Sequence, residues 1–202
     1  MYSRLTLKLA ALAVALVPYA CVMETQGSEP TRAPGIEHAA HARQAGAPGL
    51  PPAARPWPAT TGNLPAQLWI ELGLALYLAG DRDGAANGFR TAQRHDPGCA
   101  ICFWGEALAG SPGPGVTARP GALAALDTAL LLEKHASAKE AALIAALDVR
   151  FHGAPWERGT ASQPSRDQDF AQAMRAVAGR FPADRTIADL AAAARAQAAA
   201  WN

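Results

Sequence analysis

The sequence predicts an all-α protein in which helical hairpins repeat to form an array, an α-solenoid, after an N-terminal signal and a disordered linker. Hydrophobic residues make up 50% of the 202 residues and aromatic residues only 6%, with alanine the dominant apolar type. Such a composition favours helices over a β-sandwich. After residue 63 the apolar residues recur at i, i+3, i+4 and i+7, the period of helices with one buried face. Clusters of Gly, Pro and Asp between these stretches predict the turns.

Residues 1–23 are predicted to be a secretory signal. Arg4 and Lys8 precede the apolar run Leu9–Val17, and Cys21 follows shortly after it. The order of a basic region, an apolar core and small residues is typical of an export signal, and the run is too short to span a bilayer comfortably. We therefore expect an exported protein, located in the periplasm or lipid-anchored to the cell envelope.

The end of this signal leaves three alternatives open, which are lipidation, simple cleavage and a retained anchor. Ala20-Cys21 is similar to the end of a bacterial lipobox, which would make Cys21 the lipidation site. Pro18 and Tyr19 fit that pattern poorly, so simple cleavage is an equal alternative. Either process removes or modifies Cys21.

Residues 24–63 are predicted to be a flexible linker. The segment is rich in Pro, Gly and Ala and poor in large apolar residues. Such a segment buries too little surface to offset the entropy lost on ordering. The helical domain is therefore predicted to occupy residues 64–202.

The first hairpin of that domain is predicted over residues 65–95. One helix covers 65–79, with Pro65 in its first turn, and the second covers 83–95. Seven residues in and just after this hairpin fall at the spacings of one tetratricopeptide (TPR) repeat, which they resemble: Trp69, Leu72, Gly73, Ala85, Phe89, Ala92 and Pro97. The resemblance implies antiparallel helix pairs stacked into a TPR-like scaffold.

Five further helices are predicted from the same apolar period. They cover residues 99–109, 122–135, 138–151, 167–180 and 186–200. The seventh helix has no partner, so it either caps the array or precedes more sequence, and we expect the natural protein to be longer. Four charged residues are interpreted as solvated helix faces: Asp148, Arg150, Asp167 and Asp169.

Cys99 and Cys102 form a CxxC motif at the start of the third helix. They are the only thiols left once Cys21 is processed, which favours a short disulfide in an oxidising compartment. A redox or metal role is the alternative, because a helix N-terminus lowers the pKa of a thiol. No βαβ pattern surrounds the motif, and Phe103 stands where the histidine of a haem-attachment CxxCH would be. His95 is a weak candidate for a third metal ligand.

The same region carries a more specific resemblance. Phe89–Ala92, Asp96–Leu108, Glu140–Leu147 and Phe181–Asp184 are similar to segments of a family of bacterial exported TPR proteins with a D-P-x-C-A-x-C-x-W-G-x-A-L motif. The similarity begins near Leu64 and implies fold and export, with no activity to carry over. Those relatives usually have Gly-Pro-Asn after the Trp-Gly helix, where this chain has a Ser-Pro-Gly-Pro-Gly sequence.

The resemblance also predicts where a partner would bind. In stacked TPR units the first helix of each pair lines the concave face, and the corresponding residues are mostly apolar: Gln67, Ile70, Leu74, Tyr77, Ile101, Trp104 and Leu108. We expect a scaffold that holds an apolar or amphipathic segment of another protein in this groove. The alternative for the groove is that these residues pack against a neighbouring helix.

Other classes of function have less support in the sequence. The alternative to a scaffold is a thiol redox or metal-handling protein working through Cys99 and Cys102. The formal net charge is +1 and no basic stripe is present, so we do not expect nucleic acid as a partner. The sequence contains no Ser-His-Asp order, HExxH motif or phosphate-binding glycine loop, and it therefore predicts no catalytic residue and no cofactor.

Overall fold

A computed structural model describes residues 56–155 and 161–201. These residues form seven α-helices and no β-strand, which confirms the all-α prediction for this part of the chain. The predicted signal, the lipidation candidate Cys21 and the linker up to residue 55 lie outside the described residues.

The helices follow the predicted order closely. They are α1 (Leu64–Leu78), α2 (Arg82–His95), α3 (Ala100–Gly110), α4 (Ala122–Leu132), α5 (Ala138–His152), α6 (Gln163–Arg180) and α7 (Arg185–Ala199), with a short 3-10 turn, Glu133–His135, after α4. The largest difference is at α6, which begins four residues before the predicted Asp167. Ser162 accepts a hydrogen bond from the Ser165 N–H and Pro164 occupies the first turn, so the local cap extends the helix beyond its apolar face.

Side-chain caps begin most of the helices. Asn63, Asp81 and Asp184 each accept a backbone N–H bond in the first turn of α1, α2 and α7. Ser137 and Glu140 form a reciprocal capping box at α5. These bonds satisfy N–H groups that have no partner within the helix, and they fix where each helix starts.

Consecutive helices pack on one another along the chain. α1 packs on α2, α2 on α3, α3 on α4, α5 on α6 and α6 on α7. The connections at residues 79–81, 96–99 and 181–184 are short, so these neighbours must reverse direction. α3 also contacts α5, and α1 reaches α7. The helices therefore return on themselves around one shared core.

Phe89 lies at the centre of the contact among α1, α2 and α3. A Cβ atom added to Gly73 would lie 3.0 Å from the Phe89 ring, and one added to Gly105 would lie 2.2 Å from it. The two glycines therefore leave room that the ring fills completely, with Phe89 itself 0% exposed. Gly73 and Phe89 are among the seven residues at TPR spacing, and Gly105 of α3 joins them in this contact.

The segment Pro56–Asn63, which we call the strap, corrects the predicted linker. The sequence places these residues in a flexible tract, yet Trp57 is 2% exposed and belongs to the hydrophobic core. The strap has no helix or strand, and it lies across residues of α1, α5 and the start of α7. Its order comes from one aromatic anchor and several side-chain hydrogen bonds, which composition does not reveal.

None of the helices in the described part of the chain is both long enough and apolar enough to cross a membrane.

Candidate functional site

The predicted partner groove is closed. Five of its seven residues are buried in the core: Ile70, Leu74, Ile101, Trp104 and Leu108 are each 0–3% exposed. The Trp104 indole N–H donates to the Leu143 carbonyl oxygen of α5 at 2.9 Å. The prediction that these five residues line an open groove is therefore wrong, and the alternative, that they pack against neighbouring helices, describes them correctly.

The remaining two residues mark the ends of this closed face. Gln67 and Tyr77 are partly exposed and stand ten residues apart on α1, a rise of about 15 Å. Gln67 contacts the strap, and Tyr77 lies near a group of buried charged residues. The Gln67 end of α1 therefore faces a bound segment of the chain, whereas the Tyr77 end faces buried charges.

Trp57 occupies a polar pocket at the Gln67 end. Its indole N–H donates to the Asp184 carboxylate at 3.1 Å, and the Lys139 ammonium lies 4.2 Å from the centroid of its ring. Lys139 also donates to Asp184 at 3.0 Å. The cation faces the electron-rich surface of the indole while the carboxylate accepts at the indole edge, which is the arrangement the ring quadrupole favours.

Side chains of α1 hold the main chain on both sides of Trp57. The Trp57 backbone N–H donates to Glu71 at 3.1 Å. The Gln67 side-chain amide bonds to two backbone groups of the strap: it donates to the Trp57 carbonyl oxygen at 2.8 Å and accepts from the Ala59 N–H at 3.0 Å. One side-chain amide thus replaces the pair of bonds that a neighbouring β-strand would make.

Glu140 anchors the other half of the strap. Its carboxylate is 1% exposed and accepts from the Thr60 N–H at 2.7 Å and from the Thr60 hydroxyl. The same carboxylate accepts from the Ser137 N–H and hydroxyl at 2.7 and 2.8 Å in the capping box of α5. Four donors therefore compensate the cost of burying this charge. We call Gln67, Glu71, Lys139, Glu140 and Asp184 together the strap seat.

The Tyr77 end contains a buried arginine cluster. Arg150 is 0% exposed, and its guanidinium donates to Asp167 at 2.9 Å, to the Ser111 hydroxyl at 2.8 Å and to the Pro112 carbonyl oxygen at 2.6 Å. Asp167 is 1% exposed and also accepts from Gln163 and from the Trp201 indole. The interpretation of Arg150 and Asp167 as solvated residues is therefore wrong.

The arginine cluster perturbs two neighbouring groups. Burial raises the pKa of the Tyr77 phenol above its ordinary value, and the positive charges of Arg150 and Arg82 partly oppose that shift. Burial likewise lowers the pKa of the Arg82 guanidinium. Arg82 donates to the Ala109 carbonyl oxygen at 2.9 Å and to the Ser111 carbonyl oxygen. These contacts fix the chain immediately after α3.

Cys99 and Cys102 form a disulfide at the start of α3. The half-cystines are 1% and 0% exposed, and Cys99 Sγ accepts from the Cys102 N–H at 3.2 Å. His95, the candidate third metal ligand, is exposed, and its backbone oxygen accepts from the Asn63 side chain. No group of three or more metal-ligating side chains is found among residues 56–155 and 161–201. The buried pair offers no sulfur surface to a redox partner.

Comparisons with models of protein families, with curated proteins and with solved structures find no match to this chain.

The strap seat is the arrangement that sequence reasoning missed. Its members come from the first helix, the fifth helix and the last connection, and its occupant comes from the Pro-rich tract. The one local signal was Trp57 itself, because a large aromatic residue is unusual in a solvated linker. The seat recognises a non-helical segment through a ring pocket and through backbone groups.

Proposed function

We propose that this protein is an exported TPR-like scaffold that binds a segment of another protein at the strap seat. The observation that carries the proposal is that the seat already holds a non-helical segment by the means typical of peptide recognition. Gln67 and Glu71 bind its main chain, and the pocket between Lys139 and Asp184 takes its aromatic side chain. Main-chain bonds of this kind supply affinity and side-chain pockets supply specificity.

The TPR-like part of the proposal is supported by the helix arrangement. α1 and α2 have 15 and 14 residues and are joined by a short reversing turn. Each then packs on the next helix along the chain as stacked repeats do. The residues that resemble a TPR repeat lie at this first crossing, where Phe89 fills the space above Gly73. In this arrangement the strap is bonded to α1 and α5, the first helices of two of the pairs.

Export is supported by the order of basic and apolar residues before Cys21 in the sequence. The disulfide between Cys99 and Cys102 is consistent with an oxidising compartment. Fractionation and intact mass of the full chain expressed in a Gram-negative host would test this. We expect a processed chain in the envelope fraction, and an unprocessed chain in the cytoplasm would contradict export. Cys21→Ser separates the two processing routes, since it abolishes an added lipid mass but permits simple cleavage.

Selection from a library of displayed twelve-residue peptides tests the scaffold function. The targets are the full chain and its Trp57→Ala variant, in which the pocket is empty. We expect enriched peptides whose binding is weakened by Gln67→Ala and retained by the matched control Gln93→Ala, an amide on α2 that donates to Glu106. If neither target enriches any peptide, the scaffold proposal is wrong.

A further inference from the structure

We propose that the strap is an internal ligand of the strap seat. The same seat binds a non-helical segment of a partner protein that carries a tryptophan and, three positions later, a serine or threonine. The strap then competes with that partner for one site. This inference rests on the proposed scaffold function and specifies both its ligand and its regulation.

The pocket for the ring selects tryptophan. The Asp184 carboxylate meets the indole N–H, and Lys139 lies over the ring face. Phenylalanine has no N–H for the carboxylate, so it would leave the partly buried Asp184 acceptor with one donor fewer. Trp57 is 2% exposed, so any side chain that replaces it must fill the same volume.

Outside the ring pocket, the seat binds mainly backbone groups of the strap, so it places few requirements on the side chains of a bound segment. Gln67 spans the Trp57 carbonyl oxygen and the Ala59 N–H, and it makes no bond to residue 58. The intervening residue can therefore be proline, as it is in the strap. Glu140 then accepts from both the backbone and the hydroxyl of Thr60, which favours Ser or Thr at that position.

The charge of the seat restricts the partner further. Carboxylates of Glu71, Glu140 and Asp184 surround the strap, and Lys139 is the one cation in contact with Trp57 among the described residues. Acidic residues in an incoming segment would be repelled, and neutral or basic ones would be favoured. We therefore expect a partner segment of the form Trp-x-x-Ser/Thr that lacks Asp and Glu and is flanked by Lys or Arg.

Competition follows from the covalent connection of the strap to α1. Only residues 61–63 separate Thr60, the last strap residue that the seat binds, from the helix that supplies Gln67 and Glu71. A tethered ligand acts at an effective concentration in the millimolar range for short flexible connections. A free segment binds only the fraction of molecules with the strap released, so its apparent affinity is reduced by that fraction.

Binding of a labelled peptide with the sequence of residues 55–62, Arg-Pro-Trp-Pro-Ala-Thr-Thr-Gly, tests the inference by fluorescence anisotropy. We expect the full-length Trp57→Ala chain to bind it at least about 10-fold more tightly than the unmodified chain. Lys139→Ala in the Trp57→Ala background should weaken binding, while Lys134→Ala, an exposed lysine in the turn before α5, should not. A peptide with alanine in place of tryptophan should not bind.

Three results would overturn the inference. The first is equal affinity of the unmodified and Trp57→Ala chains for the strap peptide. The second is equal affinity of the Trp57→Ala chain for the strap peptide and for the peptide with alanine in place of tryptophan. The third is a Trp57→Ala chain that is folded by circular dichroism but does not bind the strap peptide. If display-library peptides without the Trp-x-x-Ser/Thr pattern bind the unmodified and Trp57→Ala chains equally well, and Gln67→Ala weakens that binding, the scaffold function stands and this inference fails.

Hydrogen exchange of the unmodified protein keeps the inference testable if Trp57→Ala does not fold. The Trp57 and Thr60 amides donate to strap-seat carboxylates and are protected only while the strap is bound. We expect them to exchange at least about 10-fold faster than the amides of Ile144 and Leu147 in α5, because strap release is a local opening. Equal protection would mean that the strap opens only on global unfolding, and the inference would be wrong.

Discussion

Arg150 and Asp167 form an ion pair with 2.9 Å between Nε and Oδ1, and neither side chain is more than 1% exposed. Removing two charges from water is costly, and the pair is compensated only because each partner makes further hydrogen bonds. Those bonds reach Ser111 and Pro112 after α3 and Trp201 after α7. The pair therefore ties the connection after α3 to the last described residue, Trp201.

Arg150→Met should destabilise the protein by about 3–5 kcal/mol, because it leaves the buried Asp167 carboxylate without its cation. Urea unfolding followed by circular dichroism measures this as a shift in the free energy of unfolding. Arg175→Met is the matched control, since Arg175 is exposed and its change should stay within about 0.5 kcal/mol. The double variant Arg150→Met, Asp167→Leu should be more stable than Arg150→Met alone. A less stable double variant would contradict this account of the pair.

Gly105→Ala should destabilise the protein by about 1–3 kcal/mol through overpacking. The added Cβ would lie 2.2 Å from the Phe89 ring, which is enclosed and cannot move away freely. Gly179→Ala in α6 is the control, because no heavy atom lies within 4 Å of its added Cβ. We expect that control to be neutral or stabilising by up to about 1 kcal/mol. Phe89→Leu should partly relieve the cost of Gly105→Ala in a double-mutant cycle, and strict additivity would argue against the contact.

The disulfide between Cys99 and Cys102 should resist reduction while the protein is folded. Both half-cystines are buried, so a reductant cannot reach sulfur without opening α3. Mass spectrometry after mild dithiothreitol and iodoacetamide treatment of a Cys21→Ser chain measures this directly. We expect no label on either cysteine without denaturant and two labels in denaturing urea. Rapid labelling of the folded chain would instead favour the thiol redox alternative.

Tyr77 should make the protein less stable as the pH rises above about 10. Its pKa in the folded protein is raised by burial, whereas the unfolded chain loses this proton near the ordinary value of about 10. Between these two pKa values the unfolded state binds fewer protons, so the free energy of unfolding falls with pH. Tyr77→Phe should reduce that fall between pH 9 and 11 and leave the pH dependence between 7 and 9 unchanged. Identical slopes above pH 10 would contradict the assignment.

The helices could be predicted because their signals are local. All seven occur in the predicted order, and each start depends on residues within one turn, such as Asp81 for α2 and Asp184 for α7. The Phe89 crossing was also predictable in part, since Gly73 and Phe89 stand at repeat spacing. Local pattern and complementary volume were sufficient for this level of the structure.

The candidate site could not be predicted because its contacts join distant positions. Trp57 bonds to a residue 127 positions away, and Thr60 to one 80 positions away. The apolar period marked Ile70 and Trp104 as members of an apolar face, but it does not say which element covers that face, and the groove prediction wrongly assigned it to a partner protein. Arg150 shows the same limit, because its burial depends on polar groups supplied by a loop and by another helix.

The hydrogen bond between Trp57 and Asp184 joins residues that are synthesised far apart in time. A ribosome adds residues at about 5–20 per second, so roughly 6–25 s separate the synthesis of the indole from that of its acceptor. Until Asp184 has been made, the indole N–H has no acceptor and the pocket of the ring is incomplete. Burial of Trp57 in its complete pocket therefore requires the chain at least through Asp184.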